Sequence, residues 1–593
     1  MTTELSYPFD SEYIIRKKRS IRKNLLSQNR KWIEKRIAIL GGSTTTDIKD
    51  ILELFLLDAG IKPVFYESEF GKYWEEVIFD NSRLCDFKPD LIFIHTSRHN
   101  LTFLPSITNS EDEITLMLER QYKHFEQMWN HLSDKYHCPI IQNNMEKPYY
   151  RLLGNKDVSD IHGHTNFINR LNAKFYEYAQ AHENFFIHDI DYLSSQYGLD
   201  EWQNPLYWYM YKYSLCVPAI PLFAYSLSSI IKAIYGLNKK AIVLDLDNTL
   251  WGGVIGDDGV EGIQLGPELP MGQAYSDFQN YLLQLKKMGI VLNICSKNDM
   301  ENAIAGLNHP DSSLSPEDFA CIIANWENKD ENIKHIAQRI NLGLDSLVFI
   351  DDNPAEREIV RRNLPDVAVP QIQKIEDYIR IIDHSRFFEA ALITQDDINR
   401  NEMYKANFER EEFLRNFSSY DDYLKSLEMV ATIRGFEPIY FDRIAQLCNK
   451  TNQFNLTTKR YSVAEIKEIA ENDNYIHLYG TLQDKFGDNG LIGVIIGEKI
   501  KDELHIQLWL MSCRVFRRNM EYAMFDRLIE ECLLRKIKYI HGYYYPTLKN
   551  RMVRDFYASI GFQKIREDDS GNTEWLFKVQ EHTRLNEFIK VNR

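Results

Sequence analysis

Four short apolar runs constrain this chain more than any other feature of its sequence: "AIVLDLD" (241–247), "GIVLNICS" (289–296), "FACIIA" (319–324) and "SLVFIDD" (346–352). Amphipathic stretches separate them, such as "QAYSDFQNYLLQLKKMG" (273–289) and "KDENIKHIAQRINLG" (329–343). Continuous apolar strands with helices between them indicate a parallel sheet buried on both faces. In such a sheet ligands gather at the carboxyl ends of the strands. Those ends are where this sequence places its acids. Asp245 closes the first run and Asp247 follows two residues later.

The other strand ends and the loops after them are also polar. "LNICSKN" offers Ser296, "ANWENKDEN" offers Lys329, and "VFIDDNPAERE" offers Asp351 and Asp352. One strand-end aspartate by itself reads as a helix cap. Four polar features in order, each after an apolar strand, read as a site. Acids with one lysine suit a divalent cation and a phosphate, and hard oxygen ligands favour Mg²⁺. Asp245 is then placed to attack phosphorus once metal and lysine neutralise the charge. Asp247 is placed to give a proton to the leaving oxygen and to take one from water. The stretches after Asp247 and after Ser296 leave no room for a large cap domain. An uncapped site is open to a bulky substrate, or to one attached to another protein.

Length and charge bound the rest. A prior of one domain per ~150 residues gives about three or four domains in 593 residues. Three segments are visible: 1–235, 236–385 and 386–593. The first alternates strand and helix, with strands expected at "RIAILGGSTT" (36–45) and "PDLIFIHTS" (89–97). The third carries an antiparallel hairpin in "LIGVIIGEKIKDELHIQLWLMS" (491–512) and reads as α+β. The whole is a multidomain α/β protein.

A formal net charge of −16 argues against generic nucleic-acid binding. The eight cysteines form no C-x-x-C pair, which weakens zinc and disulfide readings and points to a reduced, cytoplasmic compartment. The first twenty residues have no apolar core and do not read as a secretory signal. Pro218, Pro221 and Lys232 interrupt the apolar stretch 215–237, which reads as a buried helix rather than a membrane span.

The middle segment resembles the haloacid dehalogenase (HAD) phosphatases through "LDLDNTL", the D-x-D-x-T signature. The resemblance implies a Rossmann-like parallel sheet without a large cap. It implies Asp245 as nucleophile and metal ligand, and Asp247 as acid/base and metal ligand. Ser296 and Lys329 would hold phosphate, Asp351 or Asp352 would help bind Mg²⁺, and Thr249 would orient the nucleophile loop.

"NTLWGGVIGDDG", "ICSKND", "FIDDNPAERE", "CNKTNQFNLTTKRY" (448–461), "DKFGDNGLIGV" and "MSCRV" together look like the FkbH-like family. That family implies synthesis of a glyceryl-carrier-protein thioester for polyketide and related pathways. A three-carbon acyl group passes from 1,3-bisphosphoglycerate to an enzyme thiol, a phosphate is removed at the HAD site, and the phosphopantetheine thiol of an acyl carrier protein receives the product. Cys295 is the first candidate thiol and Cys513 the second. For each, a small buried apolar role stands as the alternative.

"FYASIGF" (556–562) and the strand and helix before it resemble the GNAT acyltransferases, with Tyr557 beside the acyl thioester. Arg517 and Asn519 stand where those proteins have the glycines of R-x-x-G-x-G. "RVFRRN" is therefore either a helix start or a set of arginines, Arg514, Arg517 and Arg518, that meets a phosphate. Lys450, Asn452, Lys459 and Arg460 are the candidate contacts for an acidic carrier protein.

"LGGSTTTDI" resembles the SGNH hydrolases, which implies a flavodoxin-type α/β domain with Ser43 at the nucleophile position. "HTSRHN" (95–100) stands at their Asn/His-bearing loop. No D-x-x-H pattern follows, and His162, His164 and His188 have no assigned role, so a degenerate, scaffold-like domain is expected. Two other readings remain: a phosphatase for another small phosphorylated metabolite or carrier-bound acid, and a non-catalytic interaction protein.

Overall fold

The structure, a computed structural model, describes residues 3–592 apart from 29, 31, 394–397, 452, 513, 514, 548 and 549. The chain forms two compact units, Met1–Ile234 and Tyr235–Arg593.

The first unit is built on a five-stranded parallel sheet in the order β2-β1-β3-β4-β5. Its strands are β1 (Ile33–Gly41), β2 (Ile61–Glu67), β3 (Leu91–His95), β4 (Ile140–Asn143) and β5 (Phe185–His188). Sequence patterning picks out β1 and β3, which are buried along their apolar halves. It misses β2, whose Lys62 and Pro63 break the apolar run at the sheet edge, and β4 (IIQN) and β5 (FFIH), whose apolar runs are cut short by polar residues.

Helix Glu111–Tyr136 shows how the connections are specified. Ser110 and Glu113 form a reciprocal capping box at its start. Ile114, Leu118, Phe125, Trp129 and Leu132 then bury one face at helical spacing. The apolar stretch before residue 235 is a helical span, Val217–Ile234, long and apolar enough to cross a membrane by length and composition, with 72% of it buried inside this unit. Phe223 on it packs edge-on against the rings of His95 and His188.

The second unit contains two sheets. One is parallel and four-stranded, in the order β8-β7-β6-β9. Its strands are β6 (Ala241–Leu244), β7 (Val291–Ser296), β8 (Cys321–Ala324) and β9 (Leu347–Ile350). These are the four apolar runs of the sequence. Helices Pro270–Lys287, Met300–Leu307 and Lys329–Arg339 connect them, so no domain-sized insertion separates the strand ends.

The other sheet has nine strands: β10 (Val430–Arg434), β11 (Phe454–Asn455), β12 (Tyr475–Asp484), β13 (Gly487–Ile500), β14 (Glu503–Met511), β15 (Tyr539–Tyr544), β16 (Gln563–Glu567), β17 (Thr573–Lys578) and β18 (Lys590–Asn592). β13 and β14 are the expected antiparallel hairpin, whereas β14 and β15 run parallel. The division expected near residue 385 falls inside this unit. Helix Arg400–Leu414 touches both sheets: the Arg400 guanidinium donates to the Gly289 carbonyl just before β7, and Arg410 pairs with Asp484 at the end of β12.

Candidate active site

The four parallel strands end together, and their ends carry the site. β6 delivers Asp245, whose amide donates to the Ile350 carbonyl of β9. β7 ends on Ser296, which is buried. Lys329 opens the helix after β8, and Asp351 and Asp352 follow β9. The Lys329 ammonium lies 2.9 Å from Asp245 Oδ1 and donates to Asp351 Oδ2 at 2.5 Å. Carboxylate oxygens of Asp245, Asp351 and Asp352 all lie within 4.8 Å of one another.

Charge in this cluster is out of balance. Three acids face one lysine, and the lysine and Asp351 are almost wholly buried. Burial works against the Lys329 charge, but Asp245 and Asp351 outweigh it and hold the ammonium above its ordinary value. Burial, then the charge of Asp245, pushes the Asp351 carboxyl up to about 6. The same two causes raise Asp352. A dication among these oxygens would offset the excess. The all-oxygen donor set, with Asp245 Oδ1 lacking a well-aligned hydrogen bond, fits Mg²⁺.

Asp247 belongs to the site in a different way. Its Oδ1 accepts from the Trp251 indole (2.9 Å) and the Ile255 amide (3.1 Å), and its Oδ2 accepts from Asn298 (3.0 Å). Burial raises its pKa. Its carboxylate is not among the oxygens that Asp245, Asp351 and Asp352 bring together. An acid kept protonated to higher pH, and held in place by three donors, suits proton transfer. Thr249 is fully buried and accepts from the Asp352 amide at 3.1 Å, so it ties the nucleophile loop to the last acid.

Cys295 does not face this cluster. Neighbours on a strand point to opposite faces. With Ser296 at the strand end, the thiol turns into the core beside Val243, Ile333 and Phe349. It is inaccessible and bonds to the Lys329 carbonyl at 3.7 Å, and burial pushes its pKa far up. The expectation of a nucleophilic thiol there is corrected.

Three functional side chains escaped the sequence reading although they lie in its motifs. Trp251 and Asn298 hold Asp247. Arg357 clamps the carbonyls of Asp351 and Asp352 at 2.6 and 2.7 Å. Asn298 reaches Asp247 only when the loops after β6 and β7 meet, whereas Trp251 and Arg357 act within their own loops.

In the first unit Ser43 is buried and donates to Ser214 Oγ at 3.2 Å. His95 Nε2 lies 3.1 Å from the same oxygen. The Asn143 amide nitrogen donates to the Thr96 carbonyl (3.1 Å) and lies 2.9 Å from His95 Nδ1. That orientation makes His95 Nδ1 the acceptor and leaves the hydrogen on Nε2. His95 therefore donates to Ser214 and offers no base to either serine. His188 bonds Asn143, His162 bonds Asp160, and His164 bonds the Pro105 carbonyl; none of these contacts reaches Ser43.

In the C-terminal sheet several expected contacts turn inward. Arg518 is buried and bonds Asp484, Asn489 and Asn407. Arg460 donates to the Cys448 and Asn449 carbonyls at the end of helix Phe441–Lys450. Lys459 stays exposed and bonds Gln507. Tyr557 is fully buried against Gly542 of β15, where a Cβ would meet its ring at 2.5 Å; it is a core residue and not part of an open acyl site. Arg517 and Asn519 adopt φ of +65° and +61°. The loop thus keeps the left-handed backbone that glycines favour while carrying side chains. Cys513, Arg514 and Asn452 lie outside the described residues, as does the side chain of Lys450.

Comparison with known proteins agrees with this anatomy. Residues 36–232 match the family model described as FkbH, N-terminal domain. No curated protein matches the chain. A solved structure of the N-terminal part of the protein BF1531 from Bacteroides fragilis, containing a phosphatase domain complexed with Mg, is 29% identical, with a TM-score of 0.58. The match covers 63% of this chain and 99% of that one. The ribosomal-protein-S18-alanine N-acetyltransferase of Escherichia coli aligns over 27% of this chain and 100% of its own, at 13% identity and a TM-score of 0.21. Ard1 from Thermoplasma volcanium aligns over 25% and 97%, at 19% identity and a TM-score of 0.20. At those scores the two alignments carry no argument about the C-terminal sheet. Residues 36–232 thus match an FkbH N-terminal domain, and 63% of the chain is similar to a structure that contains a phosphatase domain.

Proposed function

We propose that this chain is an Mg²⁺-dependent HAD-type phosphatase that works on a three-carbon acyl group destined for an acyl carrier protein. The observation that carries the phosphatase reading is the convergence of Asp245, Ser296, Lys329, Asp351 and Asp352 at four adjacent strand ends. Mg²⁺ held by Asp245, Asp351 and Asp352 would neutralise charge on the phosphate and its attacker.

The residues divide the work. Asp245 attacks phosphorus, the bond to the leaving oxygen breaks, and Asp247 gives that oxygen its proton. Asp247 then takes a proton from water as the water oxygen attacks the aspartyl phosphate. Inorganic phosphate leaves and the Asp245 carboxylate is restored. Lys329 offsets the buildup of negative charge, and Ser296 stands at the strand end where a phosphate oxygen would lie.

The finer reading is glyceryl transfer from 1,3-bisphosphoglycerate to the phosphopantetheine thiol of a carrier protein, in the cytoplasm, for a polyketide or related secondary-metabolite pathway. The sequence motifs shared with the FkbH-like family support it, and a GNAT-like C-terminal domain would serve acyl transfer. An SGNH-like first unit serves as a scaffold; the direction of the His95–Ser214 bond supports that assignment. Incubation with 1,3-bisphosphoglycerate, Mg²⁺ and holo-carrier proteins should add a glyceryl mass to one carrier. Phosphate release without any carrier adduct would leave a metabolite phosphatase. The buried thiol of Cys295 favours that second reading unless Cys513 carries the acyl group. Loss of transfer in Cys513→Ala, with phosphate release retained, distinguishes the two.

A further inference from the structure

On one face of the nine-stranded sheet, β14 and β15 run parallel and place His505 opposite His541. Their rings stack with centroids 4.4 Å apart. Glu503, two residues before His505, lies on the same face. Its Oε2 is 3.7 Å from His505 Nε2 and 3.4 Å from His541 Nε2. One ligand atom from each of the three residues lies within 4.8 Å of the others.

The second nitrogen of each ring is committed elsewhere. His541 Nδ1 lies 3.2 Å from Glu574 Oε1. A carboxylate only accepts, so this nitrogen carries the hydrogen. His505 Nδ1 lies 2.7 Å from the Tyr543 phenol oxygen. With its hydrogen turned to the Glu574 carboxylate, the phenol is an acceptor on its other side. The phenol oxygen is thereby left to accept from His505 Nδ1.

In these tautomers both rings turn bare Nε2 lone pairs toward a carboxylate. Three acceptors face one another with no donor between them. His541 Nε2 is sealed from solvent and makes no hydrogen bond.

We propose that Glu503, His505 and His541 bind one divalent first-row transition ion of the zinc type, with Glu574 and Tyr543 fixing both rings in the ligating tautomer. Two imidazoles and a carboxylate are a nitrogen-rich set that zinc accepts with a further position open. The aspartate cluster, all oxygen, suits Mg²⁺ instead, so the two sites separate by ligand chemistry. Binding pivots the stacked rings toward each other, since both nitrogens must come to about 2.1 Å from the ion. Outer partners of this kind orient ligating histidines.

The test uses the full chain, stripped with chelator and then held in saturating Mg²⁺ to occupy the aspartates. Co²⁺ is titrated in while visible absorption is followed, and Zn²⁺ is then used to displace it. One equivalent with the absorption of a nitrogen-ligated site is expected, together with a Zn²⁺-dependent rise in melting temperature. His505→Gln and His541→Gln should each weaken binding at least 100-fold, and Glu574→Gln by about 10- to 100-fold. Glu503→Gln, with a side chain 41% exposed, should fold normally and lose at least tenfold. Asp351→Asn should leave the affinity unchanged. Wild-type-like affinity in either histidine variant or in Glu503→Gln, or loss of the bound equivalent in Asp351→Asn, would overturn the site.

Discussion

The Lys329 ammonium sits 2.9 Å from Asp245 Oδ1, on a side chain that is itself 3% exposed. The same nitrogen donates to Asp351, so one cation serves two buried acids. Breaking a buried pair by removing one partner typically costs about 3–5 kcal/mol. Lys329→Met is expected to lower metal-free stability by about that much in urea denaturation, and Mg²⁺ should restore part of it. Unchanged stability without metal would show that the pair contributes nothing.

Asp245 and Asp247 predict different losses. Asp245→Asn removes the attacking oxygen and should cut phosphate release from a small phosphate monoester by about 10³-fold or more. Asp247→Asn removes only proton transfer, worth about 10²–10⁴-fold. Circular dichroism of both variants should match the parent. Full activity in Asp245→Asn would end the case for this site.

The Asp351 carboxyl, pushed up to about 6, gives a pH signature. An unfolded carboxyl titrates near 4, so folding raises the pKa and protonation favours the folded state. Metal-free protein should therefore gain stability as pH falls from about 7 through 6, with the gain complete near 4. Mg²⁺ should reverse this by favouring the ionised form. Melting curves with chelator and with Mg²⁺ read the effect, and Asp351→Asn should remove it.

Trp251 couples packing to chemistry. Its indole donates to Asp247 and is fully buried against Gly306, where a Cβ would meet the ring at 2.7 Å. Gly306→Ala should overpack the site by about 1–3 kcal/mol and lower activity with it. Trp251→Phe removes a donor that lowers the Asp247 pKa, so the corresponding limb of the pH–rate profile should move upward.

Asp484 holds Arg410 (2.7 Å) and Arg518 (3.2 Å) in one buried cluster. Asp484→Ala leaves two guanidinium groups facing each other and should cost about 3–5 kcal/mol. Arg517→Gly should do the opposite. At φ +65° glycine relieves a left-handed strain of about 1 kcal/mol. Calorimetric melting of both variants checks the two signs.

How much was legible depends on which physics each feature follows. A parallel strand buried on both faces must be apolar throughout, so β6, β7, β8 and β9 stand out in the sequence. The polar change at each strand end marks the acids before any contact is known. β4 (IIQN) and β5 (FFIH) end on polar residues, so their apolar runs are too short to separate from other short apolar runs.

By itself the sequence determined the order of strands and helices around 241–352, and with it the collection of Asp245, Lys329, Asp351 and Asp352 at one sheet edge. Tertiary structure alone decided which way side chains face and which donors meet which acceptors. It turned Cys295 into the core, directed Arg518 and Arg460 inward, reserved Asp247 for Trp251 and Asn298, and set His505 against His541. The reason is that composition and spacing set local geometry, whereas burial and partnering depend on register between segments far apart along the chain.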